Sequence, residues 1–556
     1  MSSYAKNLAS VMSNKKTPQM EVIPGRESEM EKNHAGGFVF TVSPWTALDR
    51  FLILGTSGGT YYATEAKMTK ENAQSVIDLI KVDGVKVVAR VVEISDAGRA
   101  PKNDPALFVL ALASAYGDDA TRKAAFAALP KVARIGTHLF HYAMFVDGMR
   151  GWGRGLRNAI GNWYQTQPVE KLANQLIKYQ QRDGWSNRDL LRLSHPKTVN
   201  EARDALYSWA TRGFAEMPTA KIDRLPALVI AAEEAKRATD VNTIVDLIET
   251  HNLPREAIPT NFLNEKKVWE ALLPNMPMTA MIRNLAKMTS IGLLDPLTPE
   301  VGTVIGKLGS AEALKKARVH PIAILSALMT YQRGRGVKGS LSWTPNQRIV
   351  DALDSAFYTS FGNVTPTHKS TLLALDVSGS MTMGEIAGCP GLNPRVASAA
   401  MALITMNVEP NYEVIGFTPG GFSASGSSRG WGGSSVKSLA ISPKMRISDV
   451  VDYMNRLGFS GTDCALPMLY AEANKLAVDS FSIFTDNETY QNPSIHASQA
   501  LKQYRQSSGR DARLAVVGMT ATKFTIADPK DSGMMDVTGF DSAAPELMSQ
   551  FFQGNI

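Results

Sequence analysis

Apolar positions recur three to four residues apart from about Pro44 through the middle of the chain, and Gly and Pro interrupt them at short intervals. This spacing is typical of amphipathic helices, and almost no strand-like alternation breaks it. The predicted helices are Lys70–Lys81, Pro105–Tyr116, Asp118–Ala128, Pro130–Asp147, Gly153–Gln165, Val169–Gln181, Asn187–Leu193, Val199–Thr211, Leu225–Lys236, Val241–Glu249 and Glu265–Leu273. So many short helices in succession indicate stacked antiparallel pairs, an α-solenoid, although no strict sequence period accompanies them.

A different pattern begins near residue 366, where short β-rich apolar runs alternate with helical stretches. The predicted strands are TLLALDV (371–377), YEVIGF (412–417), SFSIFTD (480–486) and ARLAVVGM (512–519). Strands that alternate with helices predict a parallel, doubly wound α/β sheet. The Gly, Asn and Pro of residues 360–368 separate the two patterns, so we predict domains at 36–365 and 366–556.

Other segments of the chain predict neither a helix nor a strand. Residues 1–35 are polar, contain Pro18, Pro24 and Gly25, and predict an extended N-terminal arm rather than a packed element. The Gly/Ser-rich stretch 420–435 predicts a mobile surface loop. The start of the chain has no secretory h-region, and no apolar run approaches the length of a membrane span. We therefore expect a soluble, cytoplasmic protein without a membrane partner.

Composition adds one exclusion and one asymmetry. Only Cys389 and Cys464 occur, which excludes a disulfide framework and paired Cys-x-x-Cys zinc knuckles and favours a reducing compartment. The net charge of +7 is unevenly distributed: residues 366–556 carry 14 basic and 17 acidic side chains, and residues 1–365 carry 45 and 35. A basic first domain is compatible with a polyanionic partner, and equally with a solvated surface that binds nothing.

Hard oxygen ligands cluster in the second domain. Asp376, Ser378 and Ser380 alternate where the first predicted strand ends, Thr462 precedes a helix, and Asp486 ends another strand. Open α/β sheets bind ligands at this carboxyl edge, and two carboxylates with three hydroxyls suit Mg²⁺ or Mn²⁺. The five residues, in this order, resemble the metal-ion-dependent adhesion site of von Willebrand factor A domains, which implies that all five are metal ligands. Helix capping and turn formation would be the alternative role of the three hydroxyls.

Basic side chains concentrate in residues 178–197, KYQQRDGWSNRDLLRLSHPK. Lys178 and Arg182 are one helical turn apart, so we expect them to share a face near the end of one helix. Gly184 breaks that helix, and a second one, capped by Ser186 or Asn187, carries the basic side chains Arg188, Arg192 and His195. The pattern predicts a corner of basic groups, and a solvated face is the alternative. Upstream, residues 151–164 add Arg154, Arg157, Trp163 and Tyr164.

Several motifs resemble the Ro autoantigen, or TROVE-domain, family, and bacterial members in particular. They are LILGTSGGTYYA (52–63), RIGTHLF (134–140), GWGRGLRNAIGNWY (151–164), KYQQRDGWSNRDLLRLSH (178–195), YQRGRGVKGSLSW (331–343), LDVSGSM (375–381), GTDCALPM (461–468) and FTDNET (484–489). They occur in order from about residue 36 to residue 490 and are highly specific. The stretch 420–435 and the N-terminal arm depart from vertebrate members.

The resemblance implies a monomeric ring of HEAT-like helical repeats with a basic central hole and an A domain set against it. It implies a non-catalytic protein that binds Y RNA, and misfolded non-coding RNA whose single-stranded 3′ end enters the hole. The motif positions place the Y-RNA contacts on Lys178, Arg182 and His195, and we add Arg188 and Arg192 from the basic corner. It further implies roles in RNA quality control and stress survival, with Y RNA tethering polynucleotide phosphorylase, an exoribonuclease, to the ring.

Two other functions remain open from the residues alone. The A domain could make the protein a metal-dependent protein-interaction scaffold in which the helices only support it. A metal-dependent nuclease or phosphatase would need a general base, and none is evident beside the ligand set. His138 and His141 lie at a helical spacing that suits a metal, but without a third ligand we predict that they pack in the core or at a turn.

Overall fold

The computed structural model describes most of the chain's 556 residues. The described residues are 16–54, 73–198, 200–336, 340–362, 364–383, 386, 392–419, 435–457, 461–489, 495–519, 522–538, 540 and 543–555. The predicted loop 420–435 lies outside them except for Ser435, as do residues 1–15 of the predicted arm and the first residues of the predicted helix Lys70–Lys81. Within these ranges no helix has both the length and the apolar composition that crossing a bilayer requires.

Helices make up the first large domain. They are α1 Pro44–Leu54, α2 Gln74–Ala97, α3 Asp104–Tyr116, α4 Asp119–Val132, α5 Gly136–Asp147, α6 Arg154–Thr166, α7 Val169–Lys178, α8 Asn187–Ser194, α9 Glu201–Arg212, α10 Thr219–Ile222, α11 Ala227–Ala235, α12 Val241–His251, α13 Lys266–Leu272, α14 Met278–Ser290, α15 Pro299–Leu308, α16 Ala311–Lys316, α17 Pro321–Arg333 and α18 Gln347–Thr359. Neighbours in sequence pack on each other, as α2 on α3 and α17 on α18. This confirms the predicted α-solenoid.

The ends of these helices follow simple chemical rules. The side chains of Asp118, Asn200 and Asp240 each accept a hydrogen bond from a backbone N–H in the first turn of α4, α9 and α12. Pro130 departs from the prediction, because it lies inside α4 instead of starting a helix. Only two helical residues follow it, so its missing N–H removes a backbone hydrogen bond close to the end of α4.

The helical array closes on itself. His320, which caps α17, places Nε2 3.2 Å from the carbonyl oxygen of Arg99, which follows α2 and lies 221 residues earlier. Beside it, Asp96 lies 3.8 Å from a guanidinium nitrogen of Arg134 and 3.5 Å from one of Arg318. Helices from the beginning and the end of the domain therefore meet. The predicted ring is confirmed.

The second large domain is built on a six-stranded sheet. Its strands are β5 Thr371–Asp376, β6 Tyr412–Phe417, β7 Val436–Ser438, β8 Ser480–Thr485, β9 Arg513–Gly518 and β11 Met534–Thr538. Their order across the sheet is β11-β9-β8-β5-β6-β7. All neighbours run parallel except β7, which pairs antiparallel with β6. The helices of this domain are α19 Pro394–Val408, α20 Ile447–Asn455, α21 Leu466–Ala473, α22 Ala497–Ser508 and α23 Ala544–Gln553.

The doubly wound α/β fold is thus confirmed, with all four predicted strands in place. The short edge strands β7 and β11 were not predicted, because each is brief and neither forms a continuous apolar run. The central strands β5 and β8 are buried along their whole length, which explains their unbroken apolar sequences.

The N-terminal segment is packed, contrary to the prediction of an unpacked arm for residues 1–35. Residues 30–32 form β1, residues 38–41 form β2, and β2 also pairs with β10, residues 524–525 of the second domain. Arg26 donates two hydrogen bonds to the carboxylate of Asp528. Residues 16–35 are therefore part of the A-domain surface. Their polar composition did not predict this packing, because much of the contact is made by hydrogen bonds rather than by apolar side chains.

Candidate metal centre and nucleic-acid interface

The metal-ligand candidates lie where the chain order of the sheet reverses. From β5 the chain passes to β6 on one side, and β8 then returns to pair with β5 on the other. The carboxyl ends of β5 and β8 therefore flank a topological switch point, the usual ligand crevice of open α/β sheets. Asp376 is the last residue of β5, and Asp486 directly follows β8.

Local hydrogen bonds hold the first three candidates in one tight turn. The backbone N–H of Ser378 donates to Oδ1 of Asp376 at 2.9 Å, and the hydroxyl oxygens of Ser378 and Ser380 are 3.0 Å apart. Across the sheet, the Thr485 hydroxyl donates to Oδ2 of Asp376 at 2.8 Å. The structure thus brings together the carboxylate and both hydroxyls of the Asp-x-Ser-x-Ser motif.

The loop that carries Thr462 is tied to the same edge. The Thr418 hydroxyl, just beyond β6, donates to the carbonyl oxygen of Gly461 at 3.0 Å. The Thr489 hydroxyl, in the loop after β8, lies 3.5 Å from the carbonyl oxygen of Thr462. All five candidates are at most 5% exposed. Three separate loops therefore converge on one buried, oxygen-rich site.

Both carboxylates of this site have a raised pKa. Burial raises the pKa of Asp376. For Asp486, burial and then the charge of Asp376 raise the pKa to about 8, although a hydrogen bond with the Ser380 side chain opposes the rise. Two buried carboxylates that repel each other are stabilised as anions by a cation placed between them.

A buried arginine that sequence reasoning missed supports the same turn from behind. Arg395, in the first turn of α19, donates to the carbonyl oxygens of Val377 at 2.6 Å and Ser378 at 3.2 Å. It also donates to the carbonyl oxygen of Met454 in α20. Burial lowers its pKa to about 10. Only its place soon after the ligand motif could have signalled this role.

The donor set fits a hard divalent cation. All five candidates offer oxygen, the donor that Mg²⁺ and Mn²⁺ prefer, and two of the five can be anionic. In the described ranges, no group of three His, Cys, Asp or Glu side chains is arranged to hold a metal, so a site of the His or Cys type is not found there.

The basic segment folds as a helix, a short hairpin and a second helix, which we call the α7–α8 unit, residues 169–195. Helix α7 ends at Lys178, β3 (Gln181–Arg182) pairs with β4 (Trp185–Ser186), and α8 follows. Asp183 and Gly184 both have positive φ, as a two-residue hairpin turn requires. The predicted helical face shared by Lys178 and Arg182 is therefore wrong, because the Asp-Gly pair forms a hairpin turn.

Helix α8 starts as predicted. The Ser186 hydroxyl accepts from the Asp189 N–H, and the Asp189 carboxylate accepts from the Ser186 N–H at 3.0 Å, a complete capping box. His195 ends the helix in the left-handed conformation, with φ 44°. Because α8 has eight residues, its two ends are about 12 Å apart. The basic groups thus form a strip along the unit rather than a single corner.

Basic side chains, most of them exposed, line this strip. Arg188, Arg192 and His195 recur at helical spacing on the exposed side of α8, and Arg182 is 62% exposed on the hairpin. Lys178 is half-buried, with Nζ 5.6 Å above the Tyr179 ring. In the described part of the chain, no carboxylate lies within ion-pair distance of Lys178 or of the three basic residues of α8. Arg182 has only a loose contact with Asp183, at 3.7 Å.

The basic and the aromatic residues upstream of the α7–α8 unit have different roles. Arg154 and Arg157 are exposed on α6, which packs on α8, so they extend the basic surface. Trp163 and Tyr164 are buried, and the Tyr164 hydroxyl donates to Oδ1 of Asn187 at 2.9 Å, so they belong to the core. Trp185 stacks obliquely on Trp152 at 5.2 Å and holds the hairpin against the ring.

His141, in α5, contacts the hairpin turn and holds it in place. Its Nδ1 lies 2.7 Å from the carboxylate of Asp183 at the hairpin turn, and its Nε2 lies 3.8 Å from that of Asp104. The prediction that His141 packs at a turn is therefore confirmed. His138, one helical turn earlier, is largely buried.

A pocket of about 490 Å³, which no sequence pattern predicted, opens beside Arg188. Three further basic side chains line it, from the end of α9 and the turn after α11, namely Arg212, Lys236 and Arg237. Lys236 pairs with Glu233 at 2.6 Å, and Arg237 lies over the Phe214 ring at 5.4 Å. The basic surface therefore continues from the α7–α8 unit to these neighbouring helices.

Comparisons with known proteins cover nearly the whole chain. The TROVE domain family model matches residues 31–252 and 249–330, and the Ro60 vWA domain model matches residues 370–552. The chain is 41% identical to the RNA-binding protein RO60 of Deinococcus radiodurans over 99% of its own length and 100% of the relative's. It is 38% identical to the RNA-binding protein RO60 of Caenorhabditis elegans, over 97% of this chain and 92% of that one.

A solved structure shows the same architecture. The crystal structure of the Deinococcus radiodurans RO (RSR) protein superposes with a TM-score of 0.68 at 40% identity. The match covers 92% of this chain and 100% of that one. The two family models and the solved structure therefore agree with the helical ring and the A domain. The chain belongs to the Ro60 family of TROVE-domain proteins, in its bacterial form.

Proposed function

We propose that this protein is a non-catalytic RNA-binding ring. The observation that carries the proposal is the strip of basic side chains on the α7–α8 unit, in which the loose contact of Arg182 with Asp183 at 3.7 Å is the only ion pair among the described residues. By contrast, Arg26 and Arg90 elsewhere are each neutralised by carboxylates of this chain. Cations without internal partners are available to phosphates, which supply most of the affinity of RNA-binding proteins. The names of the two RO60 relatives support this class of ligand.

The partner proposed for the strip is Y RNA. The motif resemblance would make Lys178, Arg182 and His195 the contact residues. Arg188 and Arg192 lie between them in sequence, on the exposed side of α8. The strip extends over the hairpin and the full length of α8, so several phosphates along one RNA backbone can be contacted together. Such contacts position an RNA stem without reading its sequence.

A second RNA class is proposed for the hole of the ring, namely misfolded non-coding RNA with a single-stranded 3′ end. The excess of basic side chains lies in residues 1–365, which form the ring and the N-terminal segment. A closed ring admits a single strand more easily than a folded helix, and single-stranded RNA exposes bases that a duplex hides.

The wider role follows from this pairing of ligands. We propose that the protein acts in the cytoplasm in RNA quality control, processing or decay and in stress survival. The chemistry of decay would belong to an exoribonuclease, polynucleotide phosphorylase, tethered through Y RNA. The ring itself would be a monomer that presents RNA and cuts nothing.

A divalent cation, Mg²⁺ or else Mn²⁺, is proposed as the cofactor of the A domain. Asp376, Ser378, Ser380, Thr462 and Asp486 would hold it. A cation there would offset the repulsion of two buried carboxylates and could accept an acidic group of a partner in an open coordination position.

Filter binding tests the proposal. A Y RNA is titrated with the wild-type chain and with the triple variant Lys178→Ala, Arg182→Ala, His195→Ala over a range of salt concentrations. We expect weaker binding and a shallower salt dependence for the triple variant. The matched control removes Arg224, His251 and Lys266, which lie elsewhere on the ring, and should leave Y-RNA affinity close to wild type. An unchanged affinity and salt slope in the first variant would refute the site.

The alternative function is a metal-dependent protein-interaction scaffold, favoured by the buried oxygen-rich site at the sheet edge. A pull-down distinguishes the two. If a protein partner is retained only with Mg²⁺ and Asp376, and ribonuclease treatment makes no difference, the scaffold function is supported. If ribonuclease releases the partner, RNA mediates the interaction, as the ring proposal requires.

A further inference from the structure

The loop that carries Asp486 is held from outside the A-domain sheet. Residues 486–489 are buried almost completely, and Asn487 has φ 64°, a conformation that few residues other than Gly adopt. The Glu488 N–H donates to Oδ1 of Asp486 at 3.1 Å, so the turn itself orients that carboxylate. Any contact that fixes this turn also fixes the ligand.

Asn33 makes such contacts from the N-terminal segment. Its Nδ2 donates to the carbonyl oxygens of Thr489 at 2.8 Å and Asn487 at 3.3 Å, so one amide group spans the turn. Its Oδ1 accepts from the Gly37 N–H at 2.8 Å. Asn33 is 4% exposed, and it lies more than 450 residues away in sequence.

The two residues after Asn33 contact the same loop, through the carboxylate of Glu488. His34 Nδ1 lies 2.6 Å from Oε1 of Glu488, and the Ala35 N–H donates to Oε2 of the same carboxylate at 3.1 Å. Gly37 approaches so closely that a Cβ atom there would collide with the carbonyl oxygen of Thr489. Residues 33–37 therefore form a clamp that fits only this loop conformation.

The clamp reaches a second ligand loop through Thr489. The Thr489 hydroxyl contacts the carbonyl oxygen of Thr462 at 3.5 Å and the N–H of Cys464 at 3.4 Å. Asn33 thus fixes the residue that joins the loops of Thr462 and Asp486, two of the three loops at the metal site. Outer groups that orient metal ligands commonly change metal affinity by about 10- to 100-fold.

We infer that the N-terminal segment is a working part of the metal centre, with Asn33 as a positioning residue that sets the loops of Asp486 and Thr462 for a divalent cation. The inference rests on the proposed metal site. It gives the packed arm, whose polar sequence resembles a disordered tail, a function of its own. Asn33 touches no metal ligand atom directly and acts through the backbone of residues 487–489.

Calorimetric titration of Mn²⁺ into the metal-free, full-length chain tests it. We expect Asn33→Ala to weaken Mn²⁺ binding by about 10-fold or more. Gly37→Ala keeps the Asn33 side chain, but its Cβ would displace the whole clamp from Thr489, so this variant should also weaken binding. The matched control is Arg26→Ala, which removes the contact with Asp528 in the same segment but does not reach the loop.

The outcomes separate the two proposals. Weak Mn²⁺ binding in both clamp variants with wild-type affinity in Arg26→Ala supports the clamp. Wild-type affinity in the clamp variants overturns it and leaves the metal site intact. Equal loss in Arg26→Ala also overturns it, since general loosening of the segment would then explain the effect. A wild-type chain that binds no Mn²⁺ at millimolar concentration overturns the metal site and the clamp together.

Discussion

The guanidinium of Arg50 in α1 is paired with the carboxylate of Asp536 in β11. One terminal nitrogen of Arg50 lies 2.7 and 2.6 Å from the two carboxylate oxygens, and the other donates to the carbonyl oxygen of Phe524 at 2.8 Å. The Arg50 side chain is 2% exposed. The first helix of the ring is thus bound to an edge strand of the A domain. The A domain also contacts α18, because the ring of Phe540, just after β11, stacks on that of Phe357 in α18.

Replacing Arg50 by Ala should destabilise the junction between ring and A domain. Removing one partner of a buried ion pair leaves the other charge uncompensated, at a cost of about 3–5 kcal/mol. Urea unfolding followed by tryptophan fluorescence measures it, and the exposed Arg348→Ala in α18 is the control. A midpoint equal to that of the control would show that the pair does not hold the domains together.

Removing Arg188 and Arg192 together should weaken RNA binding mainly through electrostatics. If each contacts one phosphate of the RNA, the slope of log affinity against log salt should become shallower by about 0.7–0.9 for each, the range between single strands and duplexes. Filter binding between low and physiological salt measures the slope. Equal slopes with lower affinity would instead point to a folding defect or to base contacts.

Acid should weaken the fold in part through His138. Burial, with a smaller contribution from the charge of Arg134, lowers the pKa of His138 to about 4 from an ordinary value of 6.5. Between these values the unfolded chain binds the proton more readily, so the free energy of unfolding should fall as the pH drops from about 6.5 to about 4. His138→Phe should flatten that part of a stability curve measured by urea unfolding. An unchanged slope would contradict the assignment.

Magnesium should stabilise the wild-type chain against heat, but not the Asp376→Asn variant. A ligand that binds only the folded state at 100 times its dissociation constant adds about 2.7 kcal/mol. Thermal unfolding with Mg²⁺ and with a chelator measures this, and Asp452→Asn, an exposed change in α20, controls for lost charge. If a chelator lowers the melting temperature of Asp376→Asn as much as that of the wild type, Asp376 is excluded as a ligand.

Local patterns predicted much of this molecule. The unbroken apolar runs of β5 and β8 marked buried parallel strands, and the oxygen ligands at their ends could be placed on one sheet edge from topology alone. The capping box at Ser186 likewise set the start of α8. In each case a few neighbouring residues determine the structure.

The missed features depend on distant residues. Asn33 and Arg50 are ordinary polar side chains in sequence, and their roles appear only when partners more than 450 residues away are in contact. The prediction for Arg182 was wrong for a local reason: the Asp183-Gly184 turn places Arg182 on a hairpin, although its spacing from Lys178 is that of a helix. The Asp-Gly pair between two short polar runs was the available signal.

Ultraviolet crosslinking in cells, followed by sequencing of the RNA recovered with the protein, measures whether the strip of the α7–α8 unit binds RNA. We expect Y RNA and non-coding RNA with single-stranded 3′ ends to be enriched over background. The Lys178→Ala, Arg182→Ala, His195→Ala variant should lose the Y-RNA fraction. Recovery of no RNA above background, or of the same Y RNA with that variant, would contradict RNA binding by the strip.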